Sequence, residues 1–195
     1  MVPHAWHSCC NREVCLRISA EIELTKIMMT TLEEVYFDQI SDLRSAENQL
    51  LGILPKMAAD STCPELRDAF ANHLKETQVH VDRLDVIMER HGISHLEVIC
   101  EAMRGLIIEA RKHVCETQSG DVRDALLIAS ANRVEHYEIA GYGVAKAFAS
   151  CLGFGDDADL LDETLQEEGA ADATITKIAT GGIFRSGVNE AASHA

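Results

Sequence analysis

Residues 66–87 read LRDAFANHLKETQVHVDRLDVI, and their spacing decides what kind of fold this chain adopts. Leu66, Phe70, His73, Glu76, His80, Leu84 and Ile87 follow one another at steps of three and four. Such steps return a side chain to one face of an α-helix. Pro64 stands at a first-turn position after Ser61 and Thr62, and Gly92 follows the last periodic residues. Those are start and stop signals for a helix over 64–91. Its inward face is apolar at both ends and polar in the middle, where two histidines and a glutamate interrupt it.

The same period continues in both directions. It predicts a first helix over about 31–57, with Leu32, Tyr36, Ile40, Leu43, Leu50 and Leu54 on one face. Thr30 and Thr31 are its N-cap candidates, Glu33 and Glu34 lie in the first turn, and Pro55 sits near the end. A shorter helix over about 95–115 carries Ile99, Met103, Leu106 and Ile107. Two more helices follow, about 121–151 and about 156–180, the last with Leu161, Leu165, Ile175 and Ile178 and closed by Gly181-Gly182. No strand pattern of period two appears. Short loops join the first pair of long helices and the last pair, which makes each pair antiparallel neighbours. The long 92–120 segment between them lets the chain travel the length of the bundle. The expected fold is therefore all-α: a ferritin-like up-down four-helix bundle over 30–181, with a long crossover containing an extra short helix. Residues 182–195 are expected to be a flexible tail. Residues 1–29 lack periodicity and hold three of the seven cysteines and the only Trp; they read as a poorly structured N-terminal extension, with Met29 or Met28 as the natural start. Zinc binding by His4, His7, Cys9 and Cys10 is not expected, because four ligands so close together do not have finger spacing.

Charge narrows the range of functions. Asp and Glu number 32 against 17 Lys and Arg, a formal net charge of −15. So acidic a chain repels phosphate backbones and anionic lipid, so nucleic acid and membrane are not expected partners. No apolar run is long enough to span a bilayer. The seven cysteines are an odd set without CxxC spacing, which fits buried free thiols in a reducing cytoplasm rather than a disulfide framework.

The chemistry lies in charged residues that interrupt apolar faces. Glu47 falls on the line of Tyr36, Ile40, Leu43, Leu50 and Leu54. The second helix contributes His73, Glu76 and His80. The third long helix contributes Glu135, sharing a face with Ile128, Asn132, Ile139 and Tyr142, and Glu138 one turn along. The fourth contributes Glu168 and Asp172, between Leu165 and Ile175. Each long helix thus places a carboxylate near its centre. A buried, unpaired carboxylate is very costly, and several at one level repel one another unless cations lie between them. Two divalent metal ions resolve this, and a set of oxygen and imidazole ligands suits iron or manganese, with zinc as a competitor. The competing expectation is a metal-free polar network in which Arg44, Lys75, Arg83 and Arg133 pair with these acids. Glu109 and His113, on the crossover helix, are weaker candidates.

SAENQLLGILPKMA (45–58), HLKETQVHVDRLD (73–85), VEHYEIAGYG (134–143) and LLDETLQEE (160–168) together resemble the YciE/YciF family of ferritin-like proteins. The similarity spans about 31–180, and VEHYEI is its most specific piece. The resemblance implies a ferritin-like fold, a homodimer, bacterial origin and an association with stress responses, without an established reaction. Glu47, His73, Glu76, Glu135, His136, Glu138 and Glu168 match the family's recurrent polar residues, whereas His80 is particular to this chain. Better-known di-iron bundles present Glu and then Glu-x-x-His, twice. Here the order His73-x-x-Glu76-x-x-x-His80 is reversed, and the last helix carries no His at all. If there is an activity, it is oxidation of Fe(II) or reduction of peroxide, with a small oxidant, oxygen or peroxide, as partner. Tyr36, Tyr137 and Tyr142 are candidate hydrogen-bond donors or redox-active neighbours.

Overall fold

The computed structural model describes residues 28–94, 98–182 and 185–195, so the expectations for the first 27 residues lie outside it. Thr31–Ala195 form one compact unit. Its elements are α1 (Leu32–Asp60), α2 (Pro64–His91), α3 (Glu101–Glu116), α4 (Asp121–Leu152), α5 (Gly155–Thr180), β1 (Gly181–Gly182), β2 (Arg185–Ser186) and α6 (Val188–Ala192). The fold is an all-α bundle of four long helices with the expected extra helix in the crossover.

Thr31 and Glu34 start α1 with a reciprocal cap: Thr31 Oγ1 accepts from the Glu34 amide at 3.1 Å, and Glu34 Oε2 accepts from the Thr31 amide at 3.0 Å. Leu32, expected on the inward face, is instead exposed in this first turn. The helix also runs five residues past Pro55, because Leu54 and Met57 on either side of it are buried in the core. Gly92 stops α2 in the left-handed region at φ 62°, a conformation that costs a residue with a Cβ far more. The crossover helix α3 begins at Glu101, later than its apolar pattern suggested, and Ile99 ahead of it is exposed. Cys100 anchors this helix start: its amide donates to Ser45 Oγ at 2.9 Å, and its carbonyl accepts from Gln49 at 3.1 Å, both on α1.

Side-chain pairs give the helix directions. Arg44 faces Asp85 and Glu47 faces His80; Arg90 faces Asp157 and His80 faces Glu167; Lys146 faces Asp162 and Asn132 faces Asp172, the number rising on one helix as it falls on the other. Neighbouring helices are therefore antiparallel throughout, α1 beside α2 and α4, and α5 beside α2 and α4. The α2 helix ends where His91 meets Asp157, while α4 begins at the opposite end, where Asp124 holds Thr62 and Cys63. The crossover thus travels the whole bundle, as two hairpins joined by one long connection require.

Buried positions contain an unbroken alternation of four and three, flanked by further buried residues such as Ala46, Ile53, Val81 and Met88: 36, 40, 43, 47, 50, 54 and 57 on α1, and 66, 70, 73, 77, 80, 84 and 87 on α2. On α4 they include 124, 128, 131, 135, 138, 142, 145 and 149. This is the 3.5-residue seam of helices packed nearly along one another. The apolar residues on it form two separate clusters. One, around Leu50, Leu54, Phe70, Leu127 and Ile175, fills the end where α4 begins; the other, around Tyr36, Ile40, Leu84, Ile87 and Leu161, fills the opposite end. A polar layer lies between them.

Residues 182–195, expected as a flexible tail, instead carry ordered elements. Gly181 pairs with Ser186 and Gly182 with Arg185, and α6 packs back on α4 and α5 with Val188 buried in the first cluster. The turn back needs glycine at 187, where an added Cβ would stand 2.3 Å from the carbonyl oxygen of Ala179. Within the five residues of α6 Val188 is the one large apolar side chain, too short a stretch to show a helical period in advance.

Candidate metal centre

Each of the four long helices delivers ligand-type side chains to the polar layer. Glu47 comes from α1, His73 and His80 from α2, Glu135 and Glu138 from α4, and Glu168 from α5; all six are buried. His73, Glu135, Glu138 and Glu168 each bring a ligand atom within 4.8 Å of the others, and Glu47, His80 and Glu168 do the same. Glu168 belongs to both groups and joins them. His80 Nδ1 lies 2.9 Å from Glu168 Oε1 and 3.3 Å from Glu47 Oε1. His73 Nε2 lies 3.5 Å from Glu135 Oε1 and 3.9 Å from Glu168 Oε2. The two imidazole rings are 6.5 Å apart between centroids.

Two expected ligands are not in this set. Glu76 turns out to solvent, its side chain 48% exposed, and Thr77 takes the inward position. After the step of three from Phe70 to His73, the seam needs a step of four, which reaches Thr77 rather than Glu76. Asp172 sits at the half-buried edge between α4 and α5, where its Oδ1 accepts from Asn132 Nδ2 at 2.8 Å and lies 3.5 Å from His136 Nε2. Glu109 and His113 face one another at 3.9 Å on α3, outside both groups.

One contributor was missed in the sequence. Glu167 Oε2 contacts His80 Nε2 at 2.9 Å, and Arg83 holds the same carboxylate. The Arg83 hydrogen bonds keep the Glu167 carboxyl below its ordinary range against a smaller opposing effect of burial. Glu167 is therefore an ionised acceptor, so His80 donates from Nε2. That leaves Nδ1, when the ring is neutral, as an inward lone pair, the arrangement that orients a metal-binding imidazole. The pair Glu167-Glu168 was the available signal, one carboxylate for each side of the same histidine. Of the three tyrosines, Tyr142 reaches the layer: its hydroxyl donates to Glu47 Oε1 at 2.5 Å. Tyr36 donates instead to Asp157 and Tyr137 to Asp42.

The hydrogen bonds end there. Among the described residues, twelve buried side-chain N and O atoms lack a hydrogen-bond partner, and ten of them belong to Glu47, His73, Thr77, His80, Glu135, Glu138 and Glu168. Glu138 has neither oxygen satisfied. Burial and then the neighbouring carboxylates push the Glu138 carboxyl well above its ordinary range. Burial, eased by the His73 charge and reinforced by Glu168, pushes Glu135 up to about 9. Glu47 also rises through burial, while Glu168 is held low despite burial by His80 and His73. Burial works against charge on the imidazoles, but the surrounding carboxylates outweigh it and push His73 up to about 9 and His80 up to about 10. Protons thus balance the charge that cations would otherwise balance.

The donors fit a pair of divalent ions. Four carboxylates and two imidazoles are the donor count of di-metal carboxylate bundles, and four negative charges match two divalent cations. Oxygen donors with two borderline nitrogens suit iron or manganese, with zinc able to compete. The distribution differs from the usual one: both histidines come from α2, and Thr77 stands where Glu-x-x-His would place its glutamate three residues before His80.

Residues 31–192 match the family described as a domain of unknown function, DUF892. Protein YciF of Escherichia coli K12 is 41% identical over 164 residues, 84% of this chain and 99% of its own. The crystal structure of the E. coli stress protein YciF aligns with a TM-score of 0.74 at 43% identity, over 76% of this chain and 94% of that one. YcfI, a putative structural protein from Rhodopseudomonas palustris, aligns with a TM-score of 0.76 at 36% identity, over 79% and 98%. With both the helical frame and the sequence shared at this level, the chain belongs to the YciE/YciF family, DUF892.

Proposed function

We propose that this chain holds two divalent metal ions, iron or manganese, and acts in a stress response by reacting with a small oxidant, oxygen or peroxide. The observation that carries the reading is the polar layer itself: a carboxylate shared by two donor groups, with ten buried polar atoms unsatisfied at one level of an otherwise apolar core. Leaving so many buried groups unpaired has no structural rationale, since apolar side chains of similar size would pack there at lower cost.

Glu168, common to both donor groups, would help to hold both ions. Glu47 and His80 would hold one, and His73, Glu135 and Glu138 the other. Bound iron or manganese supplies one-electron chemistry towards oxygen or peroxide. The chain's own part is to orient and to exclude water. Glu167 fixes the His80 ring, Tyr142 fixes Glu47, and the two apolar clusters keep bulk solvent from both ends. A cavity of about 10 Å³ abuts His73 and Glu135 and is otherwise lined mainly by apolar residues such as Leu50, Phe70 and Val134. It has the size of one water-sized molecule.

The second reading is a metal-free dimeric structural protein, favoured by the name of the R. palustris relative, a putative structural protein. In both readings the chain is a cytoplasmic homodimer. The four described cysteines are free thiols, and among the described residues no helix is long and apolar enough to cross a membrane. Metal analysis of protein purified without an affinity tag separates the two. About two transition-metal ions per chain are expected on the first reading. A preparation that carries almost none, and takes up none when offered Fe(II) or Mn(II), leaves the structural reading.

A further inference from the structure

Glu76, excluded from the seam, stands beside an opening in the bundle wall. Between α2 and α5 lies a cleft of about 180 Å³ lined by Ala69, Asn72, His73, Glu76, Ala170, Ala171, Thr174 and Ile175. The α5 wall begins with two alanines directly after Gly169, so the helices leave space where larger side chains would close it. His73 stands between this cleft and the buried donors. Its Nδ1 lies 3.7 Å from the half-exposed Glu76 Oε2, and its Nε2 lies 3.5 Å from Glu135 Oε1. The ring is 4% exposed, and neither nitrogen has a hydrogen-bond partner. Glu76, His73 and Glu135 thus form a file of donor atoms from solvent to the layer, each step under 4 Å. The other edge near the layer, between α4 and α5, is occupied differently: Asp172 is already engaged by Asn132 and His136.

We propose that this cleft is the port through which divalent cations reach the buried site, with Glu76 as the outer ligand and His73 as the residue that passes the ion inward. The proposal rests on the metal-binding reading above. An exposed carboxylate at the mouth of a narrow cleft concentrates cations there and speeds their entry without adding to the final set of ligands.

The test is the rate of Co(II) uptake by full-length protein stripped with a chelator, followed by stopped-flow absorbance of the ligand-field bands. Glu76→Gln is expected to slow uptake by about tenfold while filling to the same final absorbance. Asp172→Asn makes the same change of net charge on the other edge and is expected to fill at the parent rate. Circular dichroism of both variants should match the parent, since both side chains lie at the surface or near it. If Glu76→Gln fills as fast as the parent, or Asp172→Asn slows it equally, the port is overturned and the site stands. If the parent itself takes up no Co(II), the site and the port fall together.

Discussion

At the scale of the residue, Glu138 separates a functional from a structural layer most sharply. It is fully buried, both of its oxygens lack hydrogen-bond partners, and burial drives its carboxyl far towards the neutral form. A residue kept for stability would not be left in this condition, because an unsatisfied buried group costs roughly 1–3 kcal/mol. Leucine is close to it in volume and would continue the apolar seam from Tyr142 by one position. Glu138→Leu is therefore expected to stabilise chelator-treated protein by about 1–3 kcal/mol in urea unfolding while losing metal. A variant that is less stable than its parent under those conditions would show that Glu138 serves the fold. Cys100 is a contrasting case: it too is buried, but its thiol contacts Asp42 and Tyr137 at 3.1 and 2.9 Å, so its position has a structural explanation.

Loops that hold helix ends set the scale of the element, and Asp124 is the clearest example. This fully buried carboxylate on α4 accepts from the amides of Thr62 and Cys63 at 2.9 and 2.7 Å and from the Thr62 hydroxyl at 2.5 Å. It thereby fixes the α1–α2 connection against the start of α4. Asp124→Ala would leave those donors without their acceptor, and a loss of about 2–4 kcal/mol in unfolding free energy is expected, measured by the same urea titration. Nothing in the sequence pointed to Asp124, since its role depends on a loop 62 residues earlier. The helices themselves were legible because apolar residues recur at three and four, and the crossover was legible because 92–120 is too long for a hairpin loop. All six residues of the two donor groups, Glu168 included, lie where a helical face alone would place them. Glu76 and Asp172 were misplaced for a related reason: steps of three and four both keep a residue on a broad face, but only their regular alternation keeps it on the seam between neighbouring helices. Thr77 obeyed that alternation and was overlooked because its side chain carries no charge.

At the scale of the whole molecule, the polar layer makes stability depend on pH, and bound metal changes that dependence. In chelated protein the folded state binds more protons than the unfolded one over a wide range. Burial holds Glu47, Glu135 and Glu138 above the ordinary carboxylate range, Glu135 at about 9, while the carboxylates hold His73 at about 9 and His80 at about 10 against burial. For the histidines, the stabilisation is complete below their unfolded value of 6.5 and is lost as pH rises through the folded values. For the raised glutamates, the penalty of keeping them neutral grows once pH exceeds the unfolded 4.5. Both effects lower stability with rising pH. Glu168 and Glu167 act in the opposite direction, because their lowered carboxyls lose their contribution only in more acid solution. The melting temperature of chelated protein should therefore be highest in mild acid, about pH 5, and fall towards about pH 9. Metal binding must first expel those protons, so its stabilising effect strengthens as they become easier to remove. The gap in melting temperature between Mn(II)-loaded and chelated protein should widen steadily from about pH 6 to about pH 9 at fixed free metal. A gap that stays constant across that range would mean that the cations bind somewhere other than among these buried acids.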